Sequence, residues 1–317
     1  MLTTPDPFPY PIFSSQSKIA NVCTSVLDAL YKKTLHHEPG TRVGEDIEEL
    51  HDMRVSVRRQ RVAVRVFKGF FLDESIQKIQ DINDELRNLG RALGRGRDLD
   101  ILIDKFNLHL FELPADQADD LYGLIAIWKY YRVKAQTEII DFLDSYSYQN
   151  LLQSYSVFLK EPQDTRPEKI ETELPAIIEK RLYSVFKHED AVNSNNVHQL
   201  HRLRIAFKRL RYVIEFFESV LGKEYDNLIL QLKEIQDHLG DLNDAAFATR
   251  YISALLADWN SVSSTIPDVE QEYKAQLKIY LDVRTQEQEL LLDTFPERWT
   301  AFLDSDFAIK LKAAAAQ

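Results

Sequence analysis

Apolar residues recur every three to four positions along most of this chain, which is the spacing of one face of an α-helix. Strand-like alternation is weak; the short apolar run Ile101-Leu102-Ile103 has charged residues on both sides. Long stretches contain neither glycine nor proline, the usual punctuation of strands and turns. The pattern predicts an all-α fold with helices over about 17–39, 46–69, 74–94, 97–110, 115–145, 147–160, 168–190, 196–221, 224–239, 241–258, 268–295 and 298–312.

Glycine and proline mark where these predicted helices end. Gly40, Gly94, Gly222 and Gly240 follow periodic segments, and glycine readily adopts the left-handed conformation that ends a helix. Alternating prolines near the N-terminus favour an extended arm without the features of a secretory signal. The predicted organisation is an arm over residues 1–16, a helical bundle over 17–160, a polar, proline-marked linker over 161–167 and a second bundle over 168–312.

Two segments of the chain occur twice. A histidine followed by cations at positions +3, +7, +8 and +10 begins at His51 and again at His201. A second block, with Leu-Arg or Leu-Lys, then Leu-Gly and then Asp, covers 86–98 and recurs over 232–244. The order is the same in both halves, so the chain is an internal duplication of roughly 150 residues per half. We expect two antiparallel bundles with short loops, related by a pseudo-two-fold axis.

The histidine-containing segments carry a cationic stripe if they are helical. At about 100° per residue, the first stripe occupies about 80° of arc, with apolar residues on both flanks. Its members are His51, Arg54, Arg58, Arg61 and Arg65. The matching stripe consists of His201, Arg204, Lys208 and Arg211. Glu215 stands where the first copy has Arg65, so the second stripe is shorter by one cation. Apolar flanks on both sides indicate that each stripe lines a groove or channel.

The charge balance makes these stripes unusual. The chain has a net charge of -11, while residues 51–65 carry +4 and 201–212 carry +5, which leaves -20 on the remainder. One such stripe could be an ordinary solvated helix face whose cations form ion pairs with neighbouring acidic helices. Two copies in register favour an anion site instead, because like charges three and four residues apart repel when no anion is bound. Arginine suits phosphate through bidentate hydrogen bonds, and the histidines would couple binding to pH.

Other chemistry is less well supported by the sequence. His198 and His201 are three residues apart, but no cysteine or carboxylate completes a metal shell, so we expect neither metal nor cofactor. Asp98 and Asp244, like Asp100 and Asp241, follow a glycine and are interpreted as helix N-caps or as partners that orient an arginine. A single cysteine indicates the cytosol, and no apolar run is long enough to span a membrane.

The four repeated blocks resemble the CHAD family, the conserved histidine α-helical domain. The resemblance spans about residues 17–312 and rests on 51–59, 93–100, 201–212 and 239–244. It implies two four-helix bundles around a basic central channel that binds inorganic polyphosphate. It further implies the phosphate ligands His51, Arg54, Arg58, Arg59, Arg61, Arg65, His201, Arg204, Lys208, Arg209 and Arg211.

We therefore expect a non-catalytic polyphosphate binder in the cytoplasm, with a targeting or scaffolding role at polyphosphate granules. A phosphoryl-processing enzyme is the first alternative, but it would need clustered carboxylates to hold Mg²⁺, whereas the stripes are cationic. Nucleic-acid binding is the second alternative. The -20 carried outside the stripes argues against it, because a duplex would meet repulsive flanks.

Overall fold

The computed structural model describes residues 8–113, 115–194, 196–265 and 273–316, with side chains for all of these except 115–122 and 263–265. The described residues are all-helical apart from loops and short turns, and they include no β-strand. The α-helices are α1 (Ile19–Val43), α2 (Ile47–Phe67), α3 (Asp73–Glu112), α4 (Ala115–Leu143), α5 (Tyr146–Lys160), α6 (Ile170–Phe186), α7 (Val197–Phe216), α8 (Glu218–Leu221), α9 (Tyr225–Ala257), α10 (Trp259–Thr265), α11 (Tyr273–Asp304) and α12 (Phe307–Ala315).

The all-α prediction is confirmed, but the helix ends predicted at Gly94 and Gly240 are wrong. Gly94 and Gly240 lie inside α3 and α9, which continue for many residues beyond them. A glycine inside a helix costs about 1 kcal/mol relative to alanine, which apolar packing on both sides can offset. Leu93 belongs to one buried cluster and Leu99 to another, so α3 has to remain helical across Gly94 to reach both.

The predicted stop at Gly40 is also misplaced. Helix α1 runs through Pro39 and Gly40 and ends four residues later at Gly44, whose φ of 74° is the left-handed conformation. Gly222 follows the end of α8, as predicted for a helix stop, and has a positive φ of 59°, but its ψ of -132° is not that of the left-handed helical conformation. The residue that ends α1 is therefore a glycine in the expected conformation, but at a later position.

Two buried clusters hold the helices together. The larger one combines apolar residues from α1, α2, α5, α6, α7, α8 and α12 with the C-terminal parts of α4 and α11 and one end of α3 and α9. The smaller one combines the other end of α3 and α9 with α4, α10 and α11, and includes Trp128 and Tyr280. Each cluster draws on both halves of the sequence, and the division into bundles at 161–167 stays a prediction.

The arm before α1 is partly described. Residues 1–7 lie outside the described residues. From residue 8 the arm has no regular secondary structure until α1, and the Tyr10 ring packs edge-on against Phe216 with centroids 5.5 Å apart. None of the described helices is both long and apolar enough to cross a lipid bilayer.

The packing of α2 against α7 positions the site. The two helices meet through aromatic residues near their C-terminal ends, where the rings of Phe67 and Phe217 lie 5.9 Å apart. Helix α3 packs against α2, and α9 packs against α7. The N-terminal halves of α2 and α7 thus face a space bordered by α3 and α9.

Candidate anion-binding site

A cavity of about 480 Å³ lies between α2, α3, α7 and α9, and both cationic stripes reach it. From the first stripe it is lined by His51, Arg54 and Arg58, and from the second by His201, Arg204 and Lys208. These six side chains occupy the first three matched positions of the two repeats, which are 150 residues apart in the sequence. The fold therefore brings the two stripes into a single cavity.

Local sequence fixes which way each stripe points. The Asp46 side chain accepts a hydrogen bond from the backbone N–H of Glu48 and starts α2, and Asn196 starts α7 in the same way. Met53 and Val57 of α2 are buried in the core on the face away from the cations. Because positions three and four residues apart share a face, burying one face of the helix turns the other toward the cavity.

The pKa values of the cavity cations are depressed. Burial, together with the nearby Arg204 and Arg58 guanidinium groups, lowers the pKa of Lys208 to about 6. Burial is also the largest cause of the lowered pKa of Arg54 and Arg204. The charged forms are therefore destabilised in the empty cavity, and a bound polyanion would stabilise them.

The two histidines have lowered pKa values for related reasons. Burial is the main cause at both, followed by Arg97 at His51, whereas Arg204 and Lys208 contribute at His201. The Nδ1 atom of His201 also lies 2.6 Å from Oδ1 of Asn243, a hydrogen bond that opposes the shift. Both shifts favour the neutral form of the imidazole.

Two aspartates, Asp98 and Asp244, contribute negative charge to the cavity wall. Asp98 Oδ1 lies 3.3 Å from Nη1 of Arg54, and the charge of Asp244 partly opposes the burial that lowers the pKa of Arg204. Burial raises the pKa of Asp98, and Asp244 adds to that rise while Arg54 opposes it. Both aspartates lie in the middle of long helices, so the N-cap interpretation is wrong; Asp98 pairs with Arg54, and Asp244 accepts a hydrogen bond from the Asn243 side chain at 3.2 Å.

The remaining predicted ligands lie outside this cavity. Arg211 lines an adjoining cavity of about 470 Å³, which shares Arg204 and Lys208 with the first. Arg59 pairs with Glu215 at 2.9 Å, and although burial opposes it, this carboxylate raises the pKa of Arg59. Arg61, Arg65 and Arg209 lie together further along α2 and α7, where burial lowers their pKa values and the charge of Arg65 lowers those of Arg61 and Arg209 further.

The structure adds cations that the sequence analysis missed. Arg97, Lys105 and Arg250 line the main cavity. Arg87 and Arg91 lie next to Arg61. The spacing of 87, 91, 94 and 98 on a single helix face would have indicated the α3 contribution, but the predicted stop at Gly94 divided that face between two helices.

We found no arrangement suited to a metal ion among the described residues. No group of three or more histidine, cysteine, aspartate or glutamate side chains is placed to coordinate one within that part of the chain. Asp100 in the cavity wall is engaged by Arg132, whose Nε lies 2.5 Å from Oδ1.

Comparison with known proteins places the fold and the family. The structure superposes on the crystal structure of the CHAD domain from the plant Ricinus communis, with a TM-score of 0.74, 22% identity, and coverage of 94% of this chain and 97% of that one. It also superposes on PptA from Streptomyces chartreusis, with a TM-score of 0.67, 14% identity, and coverage of 90% and 100%. A comparison with curated proteins gives no significant match. The family profile of the CHAD domain matches residues 25–253, which include both repeated segments, and the chain therefore belongs to the CHAD domain family.

Proposed function

We propose that this protein binds inorganic polyphosphate in the cavity shared by α2 and α7 and does not hydrolyse it. One observation carries the proposal: six cationic or titratable side chains from matched positions of the two repeats line the same cavity. A single anion with many regularly spaced charges can contact both stripes at once. Arginine donates paired hydrogen bonds to phosphate, and membership of the CHAD domain family agrees with this ligand.

The depressed pKa values support the same ligand. Lys208 with a pKa of about 6 and the lowered pKa values of Arg54 and Arg204 indicate that mutual repulsion and burial destabilise the empty site. Polyphosphate would relieve both effects. The proposal extends to the architecture, with the two halves as four-helix bundles about a pseudo-two-fold axis, and to a cytoplasmic role at polyphosphate granules.

A phosphoryl-processing enzyme is the second candidate, because Asp98, Asp100, Asp104 and Asp244 also line the cavity. Carboxylates could hold Mg²⁺ against phosphates. Asp98 nevertheless forms an ion pair with Arg54, and Asp100 forms one with Arg132. These contacts favour a role for both aspartates in orienting the arginines. We therefore propose binding without catalysis.

Calorimetric titration of the full chain with long-chain polyphosphate, with and without Mg²⁺, tests the proposal while phosphate release is followed in the same samples. We expect saturable binding without phosphate release, and binding that duplex DNA of equal phosphate concentration fails to displace. Absence of binding would refute the proposed ligand. Steady phosphate release that stops in Asp98→Asn would favour the enzyme, and displacement by DNA would favour a nucleic-acid binder.

A further inference from the structure

A group of arginines lies beyond the main cavity, next to the distal part of the α2 stripe. This distal arginine cluster consists of Arg61 and Arg65 of α2, Arg87 and Arg91 of α3, Arg181 of α6 and Arg209 of α7. Only Arg87 has an ion pair within the described residues, with Asp84 at 3.4 Å on the same helix. The Nε atoms of Arg61 and Arg181 are buried and have no hydrogen-bond partner in the described part of the chain.

The cluster is continuous with the cavity. The stripe on α2 runs along the glycine face of α3: a Cβ atom on Gly94 would lie 3.9 Å from Nη2 of Arg54, and one on Gly90 would lie 3.9 Å from Nη1 of Arg61. Arg58, between them on the same stripe, lines the cavity. The path from His51 to Arg65 is about 21 Å long at 1.5 Å per residue, and cations line it throughout.

The matched path in the second half carries acidic residues. At an offset of 146, Arg91 and Arg95 of α3 correspond to Asp237 and Asp241 of α9, and both aspartates line the cavity beside Arg211. At an offset of 150, Arg65 corresponds to Glu215. A polyanion moving from the shared cavity toward α9 would meet these carboxylates.

Glu215 also neutralises the cations around it. Its carboxylate lies 2.9 Å from Nη2 of Arg59 and 3.4 Å from Nε of Arg211. The N-terminal arm covers this surface, since Tyr10 and Ile12 border the same pocket as Arg59 and Glu215. The corresponding surface around Arg209 has Arg65 in place of a carboxylate, and within the described residues no carboxylate forms an ion pair with Arg209.

We infer that polyphosphate leaves the shared cavity in one direction only, along α2 and α3 onto the distal arginine cluster, so that this protein selects long chains over short ones. The inference rests on the proposed function and adds a chain-length preference to it. A tripolyphosphate is far shorter than the path and would fill only the cavity. A long chain would occupy the cavity and the cluster together.

Arg87 and Lys233 provide a matched test, because they occupy equivalent positions of the repeat and both are exposed. The test measures the binding of long-chain polyphosphate and of tripolyphosphate at fixed salt. The proteins to be compared are wild type, Arg87→Gln, Lys233→Gln and the double variant Arg65→Gln/Arg87→Gln. The double variant should bind the long chain about fivefold more weakly. The log–log slope of its salt dependence should become shallower by about 0.7 for each phosphate that the protein no longer neutralises, by analogy with single-stranded nucleic acid.

Arg87→Gln and the double variant should bind tripolyphosphate as tightly as wild type does. Lys233→Gln should change the binding of neither ligand. Circular dichroism checks that all variants fold. If Lys233→Gln weakens long-chain binding as much as Arg87→Gln, or if the double variant binds both ligands like wild type, the one-directional path is wrong while the cavity proposal stands. If wild type binds neither ligand, the proposed function itself is wrong.

Discussion

At the scale of single residues, Lys208 is the most informative side chain of the site. Its ammonium group lies in the cavity with Arg204 and Arg58, and burial together with these charges lowers its pKa to about 6. An ordinary lysine has a pKa of about 10.4, so this lysine is mostly neutral near physiological pH when the cavity is empty. The sequence identified Lys208 as a cation of the stripe, but its neutrality follows only from the burial and neighbours that the fold creates.

We expect polyphosphate binding to take up a proton at Lys208. A bound polyanion raises the pKa of this lysine above its empty-state value of about 6. Between the two pKa values binding is linked to protonation, so affinity increases as pH falls through that window and levels off below about 6. Calorimetry in two buffers of different ionisation enthalpy would measure the proton uptake directly.

Lys208→Arg is the matched control, because arginine keeps its charge over the whole range. We expect this variant to bind with a flatter pH profile and smaller proton uptake. A bound polyanion would also raise the lowered pKa values of His51 and His201, so the histidines contribute a separate part of the pH profile. The double variant His51→Gln/His201→Gln should remove that part. An identical pH profile in wild type, Lys208→Arg and the histidine double variant would contradict this explanation.

At the scale of helices, α3 and α9 show where sequence patterns are reliable and where they fail. Periodicity located apolar faces on both sides of Gly94 and Gly240, but it could not show that these faces belong to one continuous helix. Continuity depends on two buried clusters that each draw on both halves of the chain. Such long-range packing has no local signal, whereas the spacing of the stripes on α2 and α7 is local and was predicted correctly as helical.

The glycines of α3 and α9 should therefore respond differently to alanine. A Cβ on Gly240 meets no atom within 4 Å, so Gly240→Ala should stabilise the protein by up to about 1 kcal/mol through helix propensity. A Cβ on Gly96 would lie 2.8 Å from Cδ1 of Ile139 and 3.0 Å from Cδ2 of Leu50, so Gly96→Ala should destabilise it by about 1 to 3 kcal/mol. Urea denaturation of both variants measures these changes, and stabilisation by Gly96→Ala would contradict the close packing of α3.

At the scale of the whole molecule, matched positions of the repeated segments differ in charge. Arg59 and Arg209 are matched residues, yet Arg59 faces Glu215 while Arg209 faces Arg65. Sequence comparison of the two halves showed the Glu215 difference but suggested only a shorter stripe. In the fold, the Glu215 side chain extends from α7 toward α2 and forms an ion pair with Arg59, a cation of the other repeat.

The pair Arg59–Glu215 should contribute to stability. Both side chains are mostly buried, at 19% and 13% exposure, so Glu215→Gln would leave a buried guanidinium without its carboxylate. We expect a decrease of about 3 kcal/mol in the free energy of unfolding. Arg209→Gln is the matched control and should cost little or even stabilise, because it removes repulsion with Arg65. Equal decreases in the two variants, measured by urea denaturation, would show that the asymmetry has no energetic consequence.

The shared cavity predicts that the two halves act as one binding site. Arg54 and Arg204 are matched residues that line the same cavity, and a single long polyphosphate would contact both. We expect one chain per protein molecule, and we expect Arg54→Gln and Arg204→Gln each to weaken binding well beyond a twofold loss of sites. Because they contact one ligand in one cavity, their effects in the double variant should be non-additive, with a coupling energy of about 0.5 to 3 kcal/mol. Titration of the four proteins measures the stoichiometry and the coupling together, and two equal, independent sites that each survive the other's substitution would exclude a common cavity.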